Sequence, residues 1–131
     1  MINPIINQRW VILQHTLSKE SMEGLHYDLL LEDKSFCRTW RLPMIPKVGG
    51  VSVEAISITP HSLHWLERDE SVVSGGRGWA KRIYSGEFYG SLPLVIDDDI
   101  SIELAGTSLQ GKLELGNNVC KILGSSKFDV I

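Results

Sequence analysis

His26 and Asp28 stand two residues apart in the stretch Leu25-His26-Tyr27-Asp28-Leu29-Leu30-Leu31-Glu32, whose other residues are mostly those a strand buries. Successive side chains of an extended strand face opposite sides. His26, Asp28, Leu30 and Glu32 therefore share one face, and Tyr27, Leu29 and Leu31 the other. An imidazole and a carboxylate on an inner face cost several kcal/mol unless they pair or hold a metal ion. The pair is thus a candidate for proton transfer or metal ligation. The plainer reading is a His–Asp hydrogen bond or a solvated strand face.

The elements that must position this pair read as short strands. Residues 10–15 form an apolar run that ends at His15, where a side chain can reach the mouth of a pocket. Residues 16–24 are polar and form a loop. Residues 25–32 and 36–42, divided by Asp33-Lys34-Ser35, predict a hairpin. Pro43, Pro46, Gly49 and Gly50 break the chain, and residues 51–58 predict another strand ended by Thr59-Pro60. His61 opens a short connection. Residues 68–82 are polar and glycine-rich and predict a long mobile loop. Further short strands are expected at 83–84, 92–96, 100–104, 111–115 and 119–123. No stretch keeps a helical period over a dozen residues. Many short strands with turn signals predict an all-β fold, a barrel or a sandwich.

Composition bounds the function. The 131 residues make one domain over 1–131, with 43% hydrophobic residues for a core. The formal net charge of −3 does not advertise nucleic-acid binding, although a small site could be locally basic. Cys37 and Cys120 are too few for a disulfide framework, and Cys37 reads as a buried thiol. The start, Met1-Ile2-Asn3-Pro4, does not read as a signal peptide. No apolar run approaches the ~18 residues of a membrane span. A soluble cytoplasmic protein is expected.

The strand His26-Tyr27-Asp28-Leu29-Leu30-Leu31-Glu32 resembles the signature strand of the 3′-phosphoesterase domain of bacterial DNA ligase D. Further pieces follow in the family's order: Gln14-His15 before the strand, Trp40-Arg41-Leu42-Pro43 after it, then His61-Ser62-Leu63 and Gly86-Glu87-Phe88-Tyr89-Gly90. The loop between His15 and His26 is longer than the family pattern and borders the site. The resemblance implies a small closed or partly closed β-barrel. It implies a divalent metal, manganese first and zinc as an alternative, held by His15, Asp28 and His61. His64 is a second choice for the last ligand. It implies that His26 positions or protonates a phosphate. The bland reading of His15 and His61 is a pair of ordinary surface histidines.

Two departures bear on catalysis. Leu30 stands where the family has an Arg that grips the phosphate, and Trp65 where it has a Tyr. Leucine cannot donate to an oxyanion, and an indole donates one hydrogen bond but accepts none. Arg41 offers a replacement as a catalytic residue. A two-residue turn at Asp33-Lys34 would pair His26 with Arg41 and Asp28 with Thr39, which puts Arg41 on the His26/Asp28 face. A three-residue turn would put it on the other face. Arg77, Lys81 and Arg82 are a second source of positive charge, or simply a solvated basic loop.

The first functional expectation is a metal-dependent phosphoesterase, a hydrolase that trims a 3′-phosphate or 3′-ribonucleoside from a DNA end in repair. Its partner would be a primer–template end, gripped through phosphates rather than read by sequence. Ligase and polymerase activities would act in trans. The second is a metal-containing module that binds nucleic-acid ends or another phosphorylated ligand with weakened chemistry. The third is a barrel with a vestigial site.

Overall fold

A computed structural model describes residues 8–106 and 108–124. Its strands are β1 Arg9–Thr16, β2 His26–Asp33, β3 Phe36–Leu42, β4 Val53–Glu54, β5 Ile56–His61, β6 Glu70–Val72, β7 Trp79–Tyr89, β8 Ile100–Gly106, β9 Gly111–Gly116 and β10 Val119–Leu123. One 3₁₀ helix, Leu63–Leu66, follows β5, and there is no α-helix among the described residues. The all-β expectation holds. No helix among the described residues is long and apolar enough to cross a membrane. The N-terminal stretch read for a signal lies outside the described residues.

The strand ladders are antiparallel, and the sheet order is β4-β10-β9-β8-β7-β1-β2-β3-β5, with β6 paired to β7 off this path. The two ends of the order, β4 and β5, are successive segments separated only by Ala55. The sheet therefore curls back toward itself, but it is not a closed barrel. The reason is geometric. A hairpin needs about two loop residues to reverse the chain, so a one-residue link cannot pair β4 with β5. The Ala55 amide instead donates to the Asn118 carbonyl.

Alternation along the strands builds two apolar clusters on opposite faces. Trp10 and Ile12 of β1 join Leu29, Leu31, Trp40, Leu42 and Phe88 in the main core. Val11 and Leu13 join Leu30, Cys37, Leu66 and Ala80 in a smaller cluster on the other face, under Leu63, Trp65 and Val73. Burial on both faces is why β1 and β2 read as continuous apolar runs rather than alternating ones.

Four local expectations are corrected. Residues 51–58 are not one strand, because the chain passes from the β10 edge to the β3 edge at Ala55. Thr59-Pro60 does not end β5, which runs to His61. At the end of the sheet order a proline's missing N–H costs no ladder bond. Residues 68–82 are not a long loop but β6, a turn and the start of β7. Gly75, Gly76 and Gly78 supply positive φ of 74, 68 and 108° in that turn. Residues 92–96 form no strand, and Leu94 is 93% exposed. An apolar run needs a partner edge to become a strand, and that run pairs with none among the described residues.

Candidate metal centre

The site lies on the sheet face that carries the smaller cluster. The β1–β2 register sets His15 opposite His26 and Leu13 opposite Asp28. The β2–β3 register sets Asp28 opposite Arg41 and Leu30 opposite Thr39. The hairpin loop is two residues, as expected, but it is Lys34-Ser35 rather than Asp33-Lys34. Asp33 remains paired to Phe36 and accepts from Arg38 Nε at 2.8 Å, while Lys34 takes the positive φ of 63°. The register thus differs from expectation by two residues. An even shift preserves side-chain parity, so Arg41 still shares the Asp28 face. β5 joins the far edge of β3 and pairs His61 with Cys37.

Four nitrogens surround the Asp28 carboxylate. His15 Nδ1 and His61 Nε2 lie 3.7 Å from Oδ2. His26 Nε2 lies 3.8 Å and Arg41 Nε 3.7 Å from Oδ1. These separations exceed hydrogen-bond length. The far nitrogen of each imidazole meets a backbone carbonyl: His15 Nε2 with Arg77 O at 2.6 Å, His26 Nδ1 with Gly24 O at 3.0 Å, and His61 Nδ1 with Thr59 O at 3.1 Å. A carbonyl only accepts, so each of those nitrogens carries the proton. In the neutral ring the other nitrogen is then a bare lone pair. Three lone pairs therefore face one carboxylate, an arrangement that repels itself unless a cation or protons intervene.

Burial sharpens this. Asp28 is 2% exposed. Its Oδ1 and the Nε2 of His26 are buried with no hydrogen-bond partner among the described residues. An orphaned buried polar atom costs about 1–3 kcal/mol. The donor atoms of His15, His26 and Asp28 lie within 4.8 Å of one another. Donors at ~2.0–2.2 Å from a common ion are about 3–3.6 Å apart, close to the separations found. A histidine pinned by a carbonyl behind and bare in front is the usual form of a metal ligand. The residues present therefore fit a divalent ion, and His15, His26 and Asp28 can hold one. His61, expected as a ligand, faces the same carboxylate. His26, expected as a catalytic residue, stands among the donors.

Protonation reverses this balance, because a protonated imidazole turns a donor toward the carboxylate. Burial pushes the Asp28 carboxyl up, but the imidazoles of His15 and His61 outweigh it and hold the group well below the usual carboxylate range. The Asp28 carboxylate raises the pKa of His15 against the effect of burial. Burial lowers the pKa of His26 despite the attraction of Asp28, so its lone pair is available at neutral pH.

The other expected residues fall outside this ring. His64 is exposed, and its amide is capped by the Ser62 hydroxyl. Arg82 bonds Asp69 and the Leu66 carbonyl, and Lys81 is exposed. Leu30 is 0% exposed in the floor beneath the site. The Arg41 side chain is 49% exposed and reaches from the buried carboxylate to solvent.

Sequence reasoning missed the three carbonyls, which carry no side-chain signal. One partial signal existed in Gly75-Gly76-Arg77-Gly78. Gly78 has φ 108°, and a Cβ there would lie 2.2 Å from Thr16 O and 3.1 Å from His15 Nε2. Only glycine lets the turn press Arg77 O onto His15. Gly78→Ala is expected to displace that carbonyl and lower metal affinity roughly 10–100-fold, the usual cost of losing a partner behind a ligand. Calorimetric titration with manganese or zinc checks this, and an unchanged affinity would remove Arg77 O from the centre.

No known protein family matches the chain, and no curated protein matches it. The chemistry of the centre rests on its own atoms.

Proposed function

We propose that this protein is a metal-dependent phosphoesterase acting on 3′-phosphate or 3′-ribonucleotide DNA ends. One observation carries the reading: three imidazole lone pairs and a buried carboxylate converge beside a half-exposed guanidinium. His15, His26 and Asp28 would hold the ion, with His61, the ligand the resemblance implies, as a further donor or a phosphate contact. Imidazoles with a carboxylate suit manganese or zinc. Such an ion, when bound, stabilises negative charge on a phosphate oxygen.

The chain's own residues supply the rest. Arg41 presents planar donors at the rim, where a phosphate oxygen can meet them. It serves where Leu30, sealed in the floor, cannot. The main-chain carbonyls of Arg77, Gly24 and Thr59 fix the imidazoles so that no reorganisation is needed when the phosphate arrives. The resemblance of β2 to the ligase D phosphoesterase strand supports a DNA 3′ end as the ligand, with ligase and polymerase partners in trans and a soluble, cytoplasmic setting.

The test is a manganese-dependent cleavage assay on a labelled primer–template ending in a 3′-phosphate or a single 3′-ribonucleotide. Wild type is expected to dephosphorylate or shorten the strand, and Asp28→Ala to lose this. A second reading is a metal-containing module that binds phosphorylated ends without turnover. The burial of Leu30 favours it, because one phosphate donor is gone. Binding of the 3′-phosphate end with no product from folded, metal-loaded protein would select that reading.

A further inference from the structure

A groove of about 280 Å³ opens beside the metal centre, between β5, the 3₁₀ helix Leu63–Leu66 and the turn before β7. We propose that it seats one unpaired terminal nucleoside of a phosphate ester, with the base on the Trp65 ring and the phosphate at the His/Asp centre. This rests on the phosphoesterase reading above and adds the ligand it takes.

The groove and the centre share residues. His61 lines the groove and faces Asp28 with Nε2 at 3.7 Å. Arg77 lines the groove, and its carbonyl holds His15. A ligand whose phosphate sits at the centre therefore extends into this groove by way of His61.

The lining suits a nucleoside. Trp65 lines it with an aromatic residue, and Pro60 and Val73 add apolar ones. The ring is already used as a cation platform, with the Arg68 guanidinium 5.7 Å from its centroid. Trp65 is half-buried against the smaller core cluster, so the platform is held in place. Stacking of one base on an aromatic ring is sequence-tolerant and corresponds to roughly 5- to 100-fold in affinity. The Arg77 side chain is clamped by its own turn, with Nε donating to Ser74 O at 2.7 Å and Nη2 to Ser74 Oγ at 3.0 Å. It is a fixed cation beside the groove, in a chain whose net charge is −3. The capacity is at the lower edge of the ~300–1,000 Å³ of small-molecule sites. It holds one nucleoside and excludes a paired duplex end, so a terminal nucleotide must leave its partner strand to enter.

The experiment compares thymidine 3′-monophosphate, methyl phosphate and inorganic phosphate as ligands of the manganese-loaded full chain, by calorimetry or competition. Wild type is expected to bind the nucleotide at least tenfold more tightly than methyl phosphate. Trp65→Ala is expected to erase that ratio while leaving inorganic phosphate unchanged, and Trp65→Phe to keep most of it. Equal affinities for the nucleotide and methyl phosphate on wild type overturn the proposal, whether or not the variants fold. A ratio that survives Trp65→Ala also overturns it. Absence of binding by all three ligands overturns the phosphoesterase reading and the groove with it, and is distinguished by the missing inorganic phosphate signal.

Discussion

Asp28→Asn is expected to abolish metal-dependent stabilisation and, once the pH is above the folded pKa of His15, to raise the stability of the metal-free protein. The carboxylate is buried, and among the described residues no donor reaches it within hydrogen-bond length. His15 has a raised pKa, so its charge pairing with Asp28 is fully present below its unfolded value of about 6.5. That contribution is lost as pH rises through the folded value. Above that value the metal-free site presents lone pairs to a carboxylate. An asparagine amide brings N–H donors to the same lone pairs and carries no charge. Satisfying one buried acceptor is worth about 1–3 kcal/mol. Wild type, by contrast, is expected to gain about 2.7 kcal/mol when the ion is present at a hundredfold over its Kd. Thermal melts with manganese, zinc or chelator read both effects. A metal-dependent rise in Tm that survives in Asp28→Asn would show that the ion binds elsewhere. This is the trade in which a binding site keeps a strained charge at the expense of stability.

Leu30→Arg is expected to unfold the protein, while Arg41→Ala is expected to leave it folded and inactive. Leu30 is sealed among Val11, Leu13, Cys37 and Leu66. An uncompensated buried charge costs about 3–5 kcal/mol, and overpacking about 1–3 kcal/mol more. Set against a typical domain stability of about 5–15 kcal/mol, that removes most of what holds a chain of this size. The guanidinium that the resemblance places at position 30 therefore cannot simply be restored there. Arg41 is half-exposed and bears on stability only weakly. Its loss is expected to lower kcat roughly 10²–10³-fold, as for one lost oxyanion donor, with partial recovery in Arg41→Lys. Melting curves and single-turnover cleavage separate the two effects. A stable, active Leu30→Arg would mean that the floor opens to solvent, and an Arg41→Ala with full turnover would remove Arg41 from catalysis.

Much of the centre was legible because strand parity is a local property. A period of two puts His26 and Asp28 on one face whatever the rest of the chain does. The same parity made Arg41 predictable, since the hairpin register moved by two residues and side was conserved. The bundle of short strands, with no α-helix among the described residues, was likewise readable from turn signals and from missing helical period. The β6–β7 hairpin was not readable. β6 is only three residues long, the turn after it is polar and glycine-rich, and its pairing depends on β1 lying along the other edge of β7.

By itself the sequence determined the all-β character, the β2–β3 hairpin and the facing of His26, Asp28 and Arg41, because backbone alternation and turn chemistry act over a few residues. Only the tertiary structure decided that this face is the one with the smaller core, that Leu30 is sealed beneath the site and that the sheet is left unclosed at Ala55. It alone brought His61 to Asp28 from β5 and set three backbone carbonyls behind three imidazoles. Those facts depend on which strands lie side by side, and lateral order is set by contacts between segments far apart in the chain, which no local period encodes.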